Sequence, residues 1–286
     1  MRMINEVLNE LINFANSNEN IRGFILQGST VNDNVKEDIF SDLDPLFYVK
    51  DTSVFTDNDE WFNTFGKPIA FFKDEFKQYQ DKESSFTRLV LYEDSFKIDF
   101  GFAPLSHIEN ANDMPLYKIV IDKDNVIPLP LTKTEERFYV KAPTNEIYQK
   151  AISEFLFDTS YIVKSLYRNE IFFTQFMFNI LNEKIEVLLN IYLGIKYDLK
   201  VNPGSKGRYY ERYLDKETWQ LLLKTYSGSD ILESIEALNA SMKLIKYLGE
   251  YISEKLCYPF PLAQFQDISF YLEDKIRLIK AKHNLK

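Results

Sequence analysis

The feature that most constrains the fold is a change of punctuation at Pro143. Before it, apolar runs are short and repeatedly stopped by Gly, Pro, Asn or Asp. After it, Thr144 to Ile195 carries apolar residues at helical spacing, with no proline and no glycine before Gly194. A half that keeps breaking and a half that does not predict an α+β chain. We expect a mixed region with a small, largely central sheet over residues 1–135. An all-α helical bundle is expected over 144–286. The 286 residues allow one large domain or two ordinary ones.

Within the first half, Ile4, Val7, Leu8, Leu11 and Ile12 share one face and predict an amphipathic helix over Ile4 to Ala15. Ile21 to Gln27 reads as a buried strand running into Gly28-Ser29-Thr30. Val31 to Asp42 is polar and predicts loop or a short helix. Leu43 to Val49 and Pro68 to Phe72 are further strands, with a short capped helix between them over Asp57 to Phe65. Phe86 to Tyr92 and Phe96 to Ala103, joined by Glu93-Asp94-Ser95, predict a hairpin that Pro104 ends. In the second half, Lys216 to Thr225, Ile231 to Leu256 and Asp267 to Lys282 carry the helical period. The aromatic residues Phe155, Tyr161, Tyr167, Phe172, Phe173 and Phe176 are expected to pack in a helical core. Neither a repeat nor a low-complexity segment interrupts the pattern.

Charge and cysteine usage narrow the function. The net charge of -9 argues against nucleic acid as a partner and suits a polycationic small molecule. One cysteine, Cys257, excludes an intrachain disulfide, and we expect it to be buried. With it, His107 and His283 cannot build a zinc site. Apolar runs stay below the roughly 18 residues that would span a bilayer, and the N-terminus has a helical period rather than a leader's apolar core. No membrane partner and a cytoplasmic location are therefore expected.

Three short stretches carry chemistry. Gly28-Ser29 closes a buried strand, Asp42-Leu43-Asp44 enters the next, and Asp99 lies in the strand Lys97-Ile98-Asp99-Phe100. Residues i and i+2 of a strand point to one face, so Asp42 and Asp44 present paired carboxylates. Such a pair repels unless a cation sits between, and hard oxygen ligands are what Mg²⁺ accepts. Asp99 supplies a third, enough for two metals about 3.5–4 Å apart. Gly28 lets backbone approach a phosphate, and Ser29 can donate to it. No Walker motif, Ser-His-Asp order or dinucleotide glycine pattern is present.

The order helix, strand, Gly-Ser, spacer, Asp-x-Asp and late strand Asp resembles the polymerase-β-like nucleotidyltransferases. More narrowly, the chain resembles the aminoglycoside 6-adenylyltransferase (streptomycin adenylyltransferase) family. The matching stretches include Arg22, Phe40-Ser41-Asp42-Leu43-Asp44, Asp59-Glu60-Trp61, Asp122-Lys123-Asp124-Asn125, Arg168-Asn169-Glu170-Ile171 and Glu211-Arg212-Tyr213. The resemblance implies transfer of AMP from Mg-ATP to a hydroxyl of a streptomycin-like aminoglycoside. It implies a polymerase-β-like nucleotidyltransferase domain and a helical domain that binds the acceptor. Asp42, Asp44 and Asp99 would be the metal ligands, with Asp99 also the candidate catalytic base. Gly28, Ser29, Lys206 and Arg208 would contact the nucleotide, and Glu154 and Glu170 the acceptor. The partners are then nucleotide and antibiotic, in a monomer or weak dimer.

The chain departs from the family at Thr30, where the family has Arg, and at Phe176-Met177, where it has Asp-His. These changes keep three alternatives in view. One is a divergent homologue using another small acceptor such as a lincosamide. Another is a non-catalytic nucleotide-binding homologue. The last is a toxin–antitoxin-type transferase modifying protein or tRNA, against which length and charge argue.

Overall fold

The computed structural model describes residues 2–74, 85–114, 116–130 and 135–285. Its chain contacts divide into two compact units, Met1–Arg137 and Phe138–Lys286.

The first unit begins with helix α1 (Ile4–Ser17), whose buried face is Val7, Leu11 and Ala15. Six strands follow: β1 (Ile21–Gln27), β2 (Asp44–Val49), β3 (Pro68–Lys73), β4 (Phe86–Tyr92), β5 (Lys97–Pro104) and β6 (Tyr117–Asp122). They form one mixed sheet in the order β3-β4-β5-β2-β1-β6. The pair β2–β5 is parallel and the other neighbours are antiparallel. A single-turn helix α2 (Ser53–Thr56) follows β2.

Strand alternation sorts the side chains into two layers. Phe24, Leu26, Phe47, Val49, Ile98, Phe100 and Phe102 face α1 in one cluster. Ile25, Leu46, Tyr48 and Ala103 face the other way into a smaller one. The larger layer is aromatic: Phe55 stacks on Phe102 at 4.4 Å, and Trp61 meets Phe100 edge-on at 4.9 Å. Such pairs add about 0.5–1.5 kcal/mol each beyond their buried area. Behind them Arg88, almost fully buried, donates from Nε to Asp59 at 2.9 Å, and Lys73 pairs with the same carboxylate. Burial alone would raise the Asp59 pKa, but the two cations outweigh it and hold it low.

The second unit is helical: α3 (Asn145–Arg168), α4 (Ile171–Lys196), α5 (Tyr210–Tyr213), α6 (Lys216–Leu223), α7 (Ile231–Leu256) and α8 (Leu262–Lys282). Helix α3 packs on α4, α7 and α8, and α4 packs on α7. Caps set the boundaries: the Thr144 hydroxyl accepts from Ile147 N, Asp215 caps α6, and Asp230 with Glu233 forms a capping box on α7.

Several boundaries differ from expectation. The uninterrupted period after Thr144 is two helices, because Asn169 turns left-handed (φ 60°) and ends α3. The Ser165 hydroxyl then meets Thr174 Oγ1 at 2.7 Å and ties the two helices together. The segment expected as a capped helix near Asp57 is a 3₁₀ run, Glu60–Phe65, with no side-chain cap. The last helix starts at Leu262, directly after Pro261, ahead of the expected Asp267. Cys257 is exposed rather than buried, since it is the left-handed residue that ends α7. Among the described residues, no helix is long and apolar enough to cross a membrane.

Candidate active site

The candidate site lies where β1 ends and β2 and β5 begin. Leu43 and Ile98 make a parallel bridge just before β2, with Asp99 N donating to Leu43 O at 2.9 Å. Both side chains are fully buried in the larger layer. Alternation therefore turns their flanking residues to the opposite face. Those residues are Asp42 and Asp44 from one segment and Lys97 and Asp99 from the other. Two i, i+2 pairs thus meet side by side.

The ammonium of Lys97 sits among the carboxylates, donating to Asp42 Oδ2 at 2.9 Å and to Asp99 Oδ2 at 2.6 Å. Against the burial that disfavours its charge, Asp99 and Asp42 hold the Lys97 pKa above its usual value. Asp44 receives no such bond. Burial first, then Asp42 and Asp99, push its pKa up to about 6, with Lys97 opposing. Asp99 Oδ1 is buried without a hydrogen-bond partner among the described residues.

Gly28 makes the close approach possible. Its backbone is left-handed (φ 79°), and a Cβ there would meet Asp44 Oδ2 at 2.0 Å. Only glycine lets the turn and the carboxylate share that space. Ser29 starts a short 3₁₀ turn, Ser29–Val31. Within it the Thr30 hydroxyl is buried and has no partner among the described residues.

The donor set suits a hard divalent cation: three carboxylates at one sheet end, one with an unpartnered buried oxygen. Among the described residues, no group of three or more acidic, histidine or cysteine side chains already converges as metal ligands would. The Lys97 ammonium is instead held by two of the three carboxylates. Lys97 was missed by the sequence reading, although its place two residues before Asp99 put it on the same strand face.

Other expected residues have plainer surroundings. Asp122 accepts from Val126 N and Ile127 N, which makes it a turn residue, and Asp124 pairs with Arg22. In the second unit, Lys206 is exposed in a tight turn, 3.6 Å from Glu186, and Arg208 is exposed just after it. Glu154 is bound by Lys184 at 2.6 Å and lies 3.8 Å from Lys150. Glu170 is the exposed N-cap residue of α4.

Helix α4 overturns one expectation. Phe155 is core, but Phe172 is 93% exposed and Phe176 is 53% exposed. With Asn179, Glu183 and Glu186 they follow the 4-3-4-3 spacing of one helix stripe. The lower end of that stripe opens on a cavity of about 430 Å³, whose wall includes Asn182, Glu183, Glu186, Lys206, Tyr210 and Trp219. Neither Glu154 nor Glu170 lines it. The polar residues Asn179, Asn182, Glu183 and Glu186 at helical spacing were the sequence signal for the open α4 face, and the sequence reading did not use it.

The profile of the family described as streptomycin adenylyltransferase matches residues 1–275. The aminoglycoside 6-adenylyltransferase of Campylobacter jejuni is 30% identical over 278 residues, covering 96% of either chain. That of Bacillus subtilis (strain 168) is also 30% identical, over 91% of this chain and 94% of its own. The crystal structure of an aminoglycoside 6-adenyltransferase from Bacillus subtilis aligns over 96% of this chain and 99% of its own, at 26% identity and a TM-score of 0.46.

Proposed function

The chain belongs to the streptomycin adenylyltransferase family, and from that membership we propose that it transfers AMP from Mg-ATP to a hydroxyl of an aminoglycoside. The observation that carries the chemistry is that Asp42, Asp44 and Asp99 lie on one face of one sheet end, with Asp44 beside the glycine turn at Gly28.

When bound, a divalent cation there would neutralise the carboxylates and withdraw charge from the transferring phosphoryl group. The protein's own part is positioning and charge management. Gly28 keeps the turn free of a side chain, so the Ser29 amide and hydroxyl can meet phosphate oxygens. Thr30 brings a neutral hydroxyl where the family has an arginine, so less phosphate charge is neutralised at that point. Asp99, with one oxygen unpartnered, is the group we assign to accept the proton of the attacking hydroxyl. The hydroxyl attacks the α-phosphorus in line and pyrophosphate leaves. Lys206 and Arg208 remain the candidate cations for the leaving group.

For the acceptor we propose the α4 cavity. Glu183 and Glu186 offer anionic partners for ammonium or guanidinium groups, Asn179 and Asn182 offer amides for hydroxyls, and Trp219 offers an apolar wall. The charge on Glu154 is engaged by Lys184 at 2.6 Å, whereas Glu186 has a looser partner, the exposed Lys206 at 3.6 Å. A larger cavity of about 600 Å³ beside α7 has Lys224 and Lys243 in its wall, and its Glu233 serves in the α7 capping box. With Glu236 as its remaining carboxylate against two lysines, it offers a polycation less net negative charge.

The test is pyrophosphate release from ATP and Mg²⁺ across aminoglycosides and lincosamides, streptomycin included. Acceptor-dependent release with an aminoglycoside is the expected result. ATP binding with no release for any acceptor would overturn the proposal.

A further inference from the structure

One cation lies among three carboxylates, and it is part of the chain. Lys97 reaches Asp42 Oδ2 at 2.9 Å and Asp99 Oδ2 at 2.6 Å. Its side chain is 41% exposed, against 30% for Asp42 and 22% for Asp99. The lysine side chain is thus more open to solvent than either carboxylate it bonds, and its ammonium is carried on a flexible four-carbon stem. Its position follows from the fold: the Leu43–Ile98 bridge sets Lys97 beside Asp42, and strand alternation puts it on the face of Asp99.

Resting on the metal-site reading above, we propose that Lys97 is a built-in counter-ion that holds the metal site together until a divalent cation displaces it. Two consequences follow from charge and geometry. Without metal, the ammonium keeps three closely set carboxylates from repelling one another apart. With metal, the same ammonium must withdraw, because it occupies the carboxylate oxygens that a cation needs and repels a second positive charge. The site is then weak for a bare metal ion. A metal ion that arrives with a polyphosphate brings negative charge that can receive the displaced ammonium. Lys97 is thus a positioning residue that makes the site select the metal–nucleotide complex over free metal.

The experiment is binding of Mn²⁺ alone, without nucleotide, followed by its electron paramagnetic resonance signal. The full chain is compared with Lys97→Met, which keeps the stem and removes the charge, and with Lys97→Arg, which keeps the charge. Thermal melts in chelator and in Mn²⁺ run alongside. For Lys97→Met we expect Mn²⁺ affinity to rise at least tenfold, a lower melting temperature in chelator, and recovery of that loss in Mn²⁺. Lys97→Arg should keep the weak affinity of the wild type. Equal or weaker Mn²⁺ binding by Lys97→Met, in a protein that binds Mn²⁺ as wild type, would overturn the counter-ion role alone. If neither the wild type nor Lys97→Met binds Mn²⁺ at the site, the metal-site reading fails with it. If Lys97→Met does not fold, Lys97→Gln carries the same comparison.

Discussion

Replacing Asp44 by asparagine should make the metal-free protein more stable while ending its turnover. The Asp44 carboxyl rises from 3.8 to about 6 in the folded chain, chiefly through burial and then through Asp42 and Asp99. A raised carboxyl means that the fold disfavours the ionised form. The penalty is therefore absent well below pH 3.8, where folded and unfolded chains are both protonated. It grows as pH rises through this window and is complete above the folded value. At 1.36 kcal/mol per pH unit, the cost is about 3 kcal/mol at pH 8 and about 1 kcal/mol at pH 4.5. Asparagine has nearly the same shape and no charge to bury. The Asp44→Asn protein should therefore melt roughly 6–12 °C higher than wild type at pH 8 in chelator, with a much smaller gain at pH 4.5. Differential scanning calorimetry at the two pH values measures this. Pyrophosphate release measures the accompanying loss of turnover. An equal shift at both pH values, or a less stable mutant at pH 8, refutes the electrostatic reasoning. Turnover within tenfold of wild type refutes the metal-ligand role.

Three further substitutions test other parts of the same account. Gly28→Ala forces a side chain into a backbone region reserved for glycine and against Asp44 Oδ2. It should cost about 1–3 kcal/mol of stability and about a hundredfold in kcat, by calorimetry and steady-state kinetics. Wild-type kinetics would remove Gly28 from the site. Asp59→Ala strands the buried Arg88 guanidinium, so chemical denaturation should report a loss of about 3–5 kcal/mol. A loss under about 1 kcal/mol would mean that Arg88 finds another partner. The double change Glu183→Gln, Glu186→Gln should raise the acceptor KM about tenfold and leave the ATP KM alone, since each lost charge-assisted bond is worth about 1.5–3 kcal/mol before water replaces it. An unchanged acceptor KM would move the acceptor out of the α4 cavity.

What was legible in the sequence followed its locality. The β4–β5 hairpin announced itself, because Glu93-Asp94-Ser95 is a polar turn between two β-rich runs. The parallel pairing of β2 with β5 did not, since its contacts join segments about fifty residues apart and no local residue encodes them. Helix lengths behaved likewise. Ile231–Leu256 was legible from its period, and the structure adds the Asp230–Glu233 capping box that fixes its start. The break at Asn169 lay inside an unbroken helical period, where tolerance of left-handed backbone was the sole cue. Helix α4 opens with the apolar run Ile171-Phe172-Phe173, which hides its face, but Gln175, Asn179, Asn182, Glu183 and Glu186 recur at helical spacing and mark the side on which Phe172 and Phe176 are left open, a cue the sequence reading did not use.

The open face of α4 also bears on the acceptor. Of the two residues that stand where the family has Asp-His, Met177 is buried in the helical core and only Phe176 is exposed. The two-residue sequence difference thus leaves a single exposed phenyl group, one turn before Asn179 and two turns before Glu183 on the same stripe. An aromatic face there adds apolar area and can accept a cation weakly, while the carboxylates nearer the cavity keep their charge. The loss of one acidic contact is then set against two carboxylates that remain. With the acceptor in the α4 cavity as proposed, the departure at Phe176 would change how an aminoglycoside is gripped, without removing the anionic surface that a polycation requires.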